Sequence, residues 1–174
     1  GVITETGGQL NVSYRYVGWL LTVPLLLLEL VLVIRLKREE TFSLGAKLTI
    51  AAIIMVLLGY SGEGLIGSDQ LHERWIYWSL AMFPFLFILY NLIIKLRNPI
   101  SKQPKIVQSL VSNSRWLLIA SWTIYPVVYL LPIFKPSASY VNLQVGYTVA
   151  DILSIAAFGI MIYLIAQRKS DIGA

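Results

Sequence analysis

The sequence predicts an all-α membrane protein with five transmembrane helices. Of the 174 residues, 57% are hydrophobic and the mean hydropathy is +0.71, whereas soluble domains are nearer one half apolar even with glycine counted. Five apolar windows reach the roughly 20 residues that a helix needs to cross a bilayer. Polar or turn-rich stretches separate these windows, namely KREET, GSDQLHE, RNPISKQP and KPSAS. This composition excludes an ordinary soluble domain.

The predicted spans follow one another with short connections between them. They are about Val12 to Leu36, Leu44 to Ile66, Trp75 to Leu96, Ile106 to Phe134 and Val141 to Gln167. No internal repeat or low-complexity segment divides the sequence, so residues 1–174 are predicted to form a single transmembrane domain. The opening GVITETGGQLNVS has neither the basic start nor the apolar core of a signal peptide. It also lacks an initiator Met, so we expect further residues before Gly1.

The distribution of Lys and Arg predicts the orientation in the membrane. If the first span runs from outside to inside, ten of the 14 basic residues lie at the inner ends and loops, and three lie outside. The positive-inside rule then predicts an integral protein of the cell (plasma) membrane whose carboxyl terminus is cytoplasmic. Because the basic residues are spread over short loops, the net charge of +5 is ascribed to topology, and no nucleic-acid partner is predicted. The inner set is Arg35, Lys37, Arg38, Lys47, Lys95, Arg97, Lys102, Lys105, Arg168 and Lys169, and the outer set is Arg15, Arg74 and Lys135.

One face of the first span is polar. Four residues share a face about 60° wide on a helix of about 100° per residue: Arg15, Gly18, Thr22 and Glu29. Glu29 lies about 21 Å along the axis from Arg15, so the two do not pair. A charge at membrane depth is costly unless it faces the bundle interior. Arg15 is interpreted as an interfacial or a functional side chain. Glu29 is interpreted as a protonated acid bonded to a neighbouring helix or as a proton-relay carboxyl.

The second and last spans carry further acids. Glu63, near the outer end of the second span, is predicted to face water or cap a loop. In the last span, Asp151 is the one ionisable group among more than about twenty apolar neighbours, a pattern that marks an intramembrane acid as a functional hypothesis. It shares a helix face with Gln144 and Ile155. Its predicted partners are Arg15 and tyrosine hydroxyls from facing helices.

Aromatic residues lie inside the spans, whereas a membrane-interface belt would place them at the ends. The set is Trp19, Trp78, Trp122, Tyr125 and Tyr129. Core packing explains such residues, and so does a cage around a flat, apolar ligand, since indoles stack on a polyene and hydroxyls bind a polar end. No phosphate-binding glycine loop, metal-ligand cluster or nucleophile–base set occurs in the sequence. The sequence therefore predicts neither an enzyme nor a metal site.

Several motifs together resemble the microbial rhodopsin family over nearly the whole chain. RYVGWLLTVPLLLLEL is similar to the family's third helix, and RWIYWSLAMFPFLFILY to its fifth. RWLLIASWTIYPVVYLL resembles the sixth helix, and GYTVADILSIAAFG the seventh. The proton-pumping proteorhodopsin and xanthorhodopsin branches look nearest. These resemblances imply helices three to seven of a seven-helix bundle, with the first two helices absent.

The resemblance implies retinal, held as a Schiff base on a lysine of the last helix and balanced by a carboxylate of the third. By the family's pattern, Glu29 matches the proton donor, Asp151 the second counterion and Arg15 the gating arginine. The retinal-pocket positions are matched by Trp19, Thr22, Leu26, Trp78, Trp122, Tyr125 and Tyr129. Leu26 stands where a leucine accompanies green absorption in the family.

Two matched positions depart from the family. The lysine position is Ile155, which has no amine, so no Schiff base can form there. The primary counterion position is Gly18, which can neither balance a charge nor accept a proton. The missing amine and the missing carboxylate are consistent with each other, because a counterion is needed only beside a protonated Schiff base.

Three functional hypotheses follow. The first is a rhodopsin-family membrane protein without covalent retinal or pumping, which acts as a binding or assembly partner in a homo- or hetero-oligomer with rhodopsin-like chains. The second is a light-driven proton pump and retinal photoreceptor, which requires that the natural gene encode Lys at 155 and Asp at 18. The third is a non-covalent binder of a retinoid or carotenoid.

Overall fold

The computed structural model describes residues 2–63, 70–134 and 140–171, and the regular structure in these ranges is helical. Two π-helical segments, Asn91–Lys95 and Ile152–Ala157, join α3 to α4 and α7 to α8. The α-helices are α1 (Val2–Ile34), α2 (Arg38–Glu63), α3 (Leu71–Tyr90), α4 (Arg97–Ser101), α5 (Lys105–Tyr129), α6 (Leu131–Phe134), α7 (Tyr140–Asp151) and α8 (Phe158–Asp171).

Within the described ranges, four helical stretches are long and apolar enough to cross a membrane, where the sequence predicts five. They are Val12–Ile34, Arg38–Glu63, Leu71–Ser101 and Asn142–Asp171. The remaining predicted span contains α5, whose 25 residues are long enough to cross a membrane. Its composition is more polar, and Ser114, Arg115 and Ser121 are buried against other helices. Polar side chains that face the interior of a bundle are tolerated at membrane depth.

Several helices extend beyond the predicted windows into polar sequence. α2 begins at Arg38, so most of KREET is helical; Glu39 and Glu40 lie in its first turn, where the helix dipole favours negative charge. Likewise, α4 forms within RNPISKQP. Both stretches still contain or border a break between helices, since α1 ends at Ile34 and α2 begins at Arg38, and residues 102–104 lie between α4 and α5. The breaks are shorter than predicted because charge and proline are both tolerated in a first helical turn. KPSAS, at 135–139, lies outside the described residues.

The helices pack in sequence order and then close on the first one. α1 packs on α2, α2 on α3, and α5 on α7 and α8, while α8 returns to α1. Fully buried leucines and isoleucines form the core between them. They include Leu27, Leu30, Ile34, Leu48, Ile88, Leu92, Leu96 and Leu118.

Residues from distant parts of the chain cap the carboxyl end of α1. The helix ends at Arg35, whose φ of 56° lies in the left-handed region. Lys169 Nζ donates to the Val33 carbonyl at 2.7 Å, and Gln103 Nε2 donates to the Ile34 carbonyl at 2.9 Å. These contacts pair carbonyl groups that have no partner inside the helix. The carboxyl ends of α1 and α8 thereby meet at one end of the bundle.

Candidate functional site

A cavity lies between α1, α2, α3, α5 and α7. Aromatic and aliphatic side chains make up nearly all of its wall, which suits a flat, apolar ligand. The five aromatic residues that the sequence singles out all line it. The lining set is Tyr16, Trp19, Val23, Met55, Val56, Gly59, Trp78, Ala81, Met82, Phe85, Trp122, Tyr125, Pro126, Tyr129 and Tyr147.

Two predicted pocket residues lie elsewhere. Thr22 lines a neighbouring groove and donates its hydroxyl to the Gly18 carbonyl at 3.0 Å. Leu26 is buried in the core and is not part of the cavity wall. For Thr22 the reason is helical periodicity: Tyr16 and Val23 project into the cavity, and on a helix of about 100° per residue Thr22 points about 100° away from Val23.

Asp151 is the centre of the polar contacts between α1 and α7. Its Oδ2 accepts from Arg15 Nη1 at 2.6 Å. Its Oδ1 accepts from Trp19 Nε1 at 2.7 Å and from the Tyr125 hydroxyl at 2.8 Å. Asp151 therefore has the partners that the sequence predicts. Arg15 also donates to Gln144 Oε1 from Nη2 at 2.7 Å, so both charges have charge-assisted hydrogen bonds.

The two positions that depart from the family pattern face the same groove beside this pair. A Cβ at Gly18 would meet nothing within 4 Å, and the Ile155 side chain is 38% exposed. The groove is lined by Tyr14, Arg15, Gly18, Trp19, Thr22, Gln144, Asp151 and Ile155. Among these residues the acidic and basic side chains are one aspartate and one arginine, so their formal charges balance.

Glu29 lies on an exposed side of α1. Glu29 has no hydrogen-bond partner within the described ranges. The interpretation of a protonated acid bonded to a neighbouring helix is therefore not supported among these residues. The reason is its position on the same side of the helix as Gly18 and Thr22, where no described helix covers α1.

The structure also shows a charged pair that sequence reasoning missed. Glu63 and Arg74 have 1% and 0% side-chain exposure, and Arg74 Nη2 lies 3.5 Å from Glu63 Oε2. The expectation of a water-facing Glu63 is therefore wrong, because α3 folds back and places an arginine beside it. The signal available was a pair of opposite charges flanking one short connection between spans.

Comparisons with known proteins agree with this fold. A family model described as bacteriorhodopsin-like protein matches residues 2–168. The green-light absorbing proteorhodopsin of Gamma-proteobacterium EBAC31A08 is 30% identical over 173 residues, which cover 98% of this chain and 67% of that protein. The chain thus spans about two thirds of the length of this relative.

Solved structures show the same likeness. Xanthorhodopsin, described as a light-driven ion pump with dual chromophore, superposes with a TM-score of 0.81 at 45% identity, covering 91% of this chain and 64% of that one. Exiguobacterium sibiricum rhodopsin gives a TM-score of 0.83 at 28% identity, covering 92% and 73%.

These likenesses show an all-helical integral membrane protein with the rhodopsin fold, in a family whose members bind retinal. Transport, rather than classical enzyme chemistry, is the activity of the pumps among them. With a family match over nearly its whole length, the chain belongs to the bacteriorhodopsin-like family, the microbial rhodopsins.

Proposed function

We propose that this chain is a rhodopsin-family membrane protein that carries no covalent retinal, does not pump protons and acts as a binding or assembly partner. The observation that supports it is the side chain at the position matching the family's lysine: Ile155 offers no amine to retinal. Covalent retinal therefore does not fit this chain.

Gly18 supports the same proposal independently. A primary counterion is needed beside a protonated Schiff base, and glycine supplies no charge. With both positions neutral, Arg15 and Asp151 pair with each other at 2.6 Å. The residues at the other matched positions would then no longer perform the functions that the family assigns to them. These are Glu29 at the donor position, Asp151 at the second counterion position and Arg15 at the gating position.

The partner part of the proposal rests on the groove between α1 and α7. The chain corresponds, in this proposal, to helices three to seven of a rhodopsin bundle, with its carboxyl terminus in the cytoplasm. Arg15 and Asp151 keep 19% and 24% side-chain exposure, and polar groups open to lipid are costly. Further residues of the same protein, or a rhodopsin-like chain in a homo- or hetero-oligomer, would cover them.

Reconstitution with retinal tests the proposal. The chain is purified with all-trans retinal, and its spectrum is recorded before and after denaturation. We expect no visible band that survives denaturation as a protein adduct. The Gly18→Asp, Ile155→Lys double variant is the matched control, since it restores both chemical groups. An adduct on the unaltered chain would overturn the proposal.

The cavity favours a second candidate, a non-covalent binder of a retinoid or carotenoid. Trp19, Trp78 and Trp122 supply three indole surfaces to one apolar wall. A pigment that co-purifies with the protein and is extracted by mild solvent would support this candidate. A colourless protein with only lipid in the extract would oppose it.

The light-driven pump is the third candidate, and the sequence of the natural gene decides it. Codons for Lys at 155 and Asp at 18 would restore the pump, and codons for Ile and Gly would end it. Its support is the kinship with proteins named as pumps, such as xanthorhodopsin.

A further inference from the structure

Arg74 joins the ends of two helices. Its Nη1 donates to the carbonyls of Gly62 and Glu63 at 3.1 and 2.9 Å, at the end of α2. Its Nε and Nη2 donate to the Tyr129 carbonyl, at the end of α5, at 3.1 and 2.8 Å. The last carbonyls of a helix have no partner inside it and favour a nearby cation. One guanidinium thus caps α2 and α5 together.

The Glu63 carboxylate extends this contact to two more helices. Its Oε2 accepts from the Tyr147 hydroxyl of α7 at 3.0 Å and from the Tyr16 hydroxyl of α1 at 3.2 Å. Its third partner is Nη2 of Arg74 in α3. Through Glu63 and Arg74, side chains or carbonyls of α1, α2, α3, α5 and α7 meet in one buried cluster.

The rings held by this cluster belong to the cavity wall. Tyr16 and Tyr147 both line the cavity. Each packs edge-on against Trp19, with ring centroids 4.8 and 5.2 Å away. Trp19 in turn donates to Asp151 at 2.7 Å. Edge-to-face contacts of this kind fix the relative orientation of aromatic rings.

We propose that Glu63 and Arg74 are positioning residues for the cavity: Arg74 fixes the Glu63 carboxylate, and the carboxylate fixes the Tyr16 and Tyr147 rings and, through them, Trp19. This role goes beyond the proposed partner function, because it sets the shape of the wall whether or not a ligand is bound. Five N–H groups of Arg74 match the contacts above, and a lysine has three.

Paired substitutions at Glu63 test the role in the full chain, purified in lipid nanodiscs. Glu63→Gln keeps an oxygen acceptor and removes the charge, whereas Glu63→Leu removes the acceptor. Glu39→Leu makes the same change at an exposed position of the same helix. The readout is the near-ultraviolet circular dichroism of the folded protein, which reports on fixed aromatic rings and is compared with far-ultraviolet helicity.

We expect Glu63→Leu to lose aromatic circular dichroism while its helicity is retained, and Glu63→Gln and Glu39→Leu to keep both. Because Glu63 acts in part through the Tyr147 hydroxyl, the loss caused by Glu63→Leu is expected to be smaller in a Tyr147→Phe background. An unchanged signal in Glu63→Leu, or strictly additive losses, would overturn the proposal. If Glu63→Leu fails to fold, Tyr16→Phe and Tyr147→Phe provide the test, because each removes the hydroxyl that Glu63 holds and keeps the ring. Each is expected to lose circular dichroism in the tryptophan region, and an unchanged tryptophan signal in both would overturn the proposal.

Discussion

At the scale of single residues, positions 18 and 155 are best understood as a pair. The groove beside them holds Arg15 and Asp151, whose charges already cancel. Gly18 and Ile155 add none. An acid at one position and an amine at the other would also cancel, whereas either alone would leave one charge unmatched at membrane depth, which is costly.

The first prediction concerns this balance. Gly18→Asp alone adds a carboxylate, and Ile155→Lys alone adds an ammonium, to the groove that already holds Arg15 and Asp151. We expect the double variant to be more stable than the sum of the two single effects by about 1–3 kcal/mol, the range of coupling between neighbouring charges. Thermal unfolding of the four proteins in one detergent measures this. Additive effects would show that the two positions do not interact.

The sequence predicts some residues of the site and not others. The aromatic residues inside the spans and Asp151 stand out in the sequence because such residues are unusual at membrane depth. The partners of Asp151 can therefore be predicted as well. Glu63 and Arg74 do not stand out, since either end of a span tolerates charge. Their burial depends on how α3 returns beside α2, which no local pattern encodes.

At the scale of elements, the segment around Ile155 keeps an irregular backbone. Ile152–Ala157 is π-helical, a rare conformation that is frequent at functional sites. Local sequence contains no proline or glycine there to cause it. The hydrophobic pattern predicts a continuous helix in this region, because a π-turn changes the register by one residue without changing composition.

The second prediction concerns the close approach of α2, α3 and α5 at Gly62. A Cβ at this position would collide with the Tyr129 hydroxyl and with Tyr77. We expect Gly62→Ala to lower the free energy of unfolding by about 1–3 kcal/mol, as overpacking does. Gly159→Ala is the control, since a Cβ there meets nothing within 4 Å. Equal unfolding temperatures for the two variants would refute the close packing at Gly62.

At the scale of the whole molecule, the groove between α1 and α7 is a side of the bundle that no described helix covers. Thr148 and the exposed face of α1 border it. Composition predicts the membrane class and most spans, but it cannot show which side of the bundle remains open. That depends on the order of helices around the cavity, and hence on contacts between residues far apart in the sequence.

The third prediction tests whether this side is covered in the membrane. The chain has no cysteine, so a single introduced thiol can carry a spin label. We expect a label at Thr148→Cys to be immobilised by a covering helix, and a label at Phe83→Cys, on a side chain that is 73% exposed, to move freely. Equal mobility at both sites would mean that the groove faces lipid.

The fourth prediction concerns orientation. With the carboxyl terminus in the cytoplasm, the connection at Gln70 faces outside and Lys102 faces inside. A membrane-impermeant thiol reagent applied to intact cells should label Gln70→Cys and spare Lys102→Cys, and permeabilised cells should show both labelled. The reverse pattern would invert the predicted topology.

The cap on α1 has a consequence for biosynthesis. Lys169 reaches the Val33 carbonyl across 136 residues of chain, and Asp151 reaches Arg15 across the same separation. A ribosome makes the amino-terminal part first, so α1 enters the bilayer before either partner exists. Arg15 and the Val33 carbonyl of α1 then lack these partners until α7 and α8 have been made. Contacts between residues this distant in sequence form late. Chains that stall before residue 151 are therefore the forms that membrane quality control would meet with an unpaired intramembrane charge.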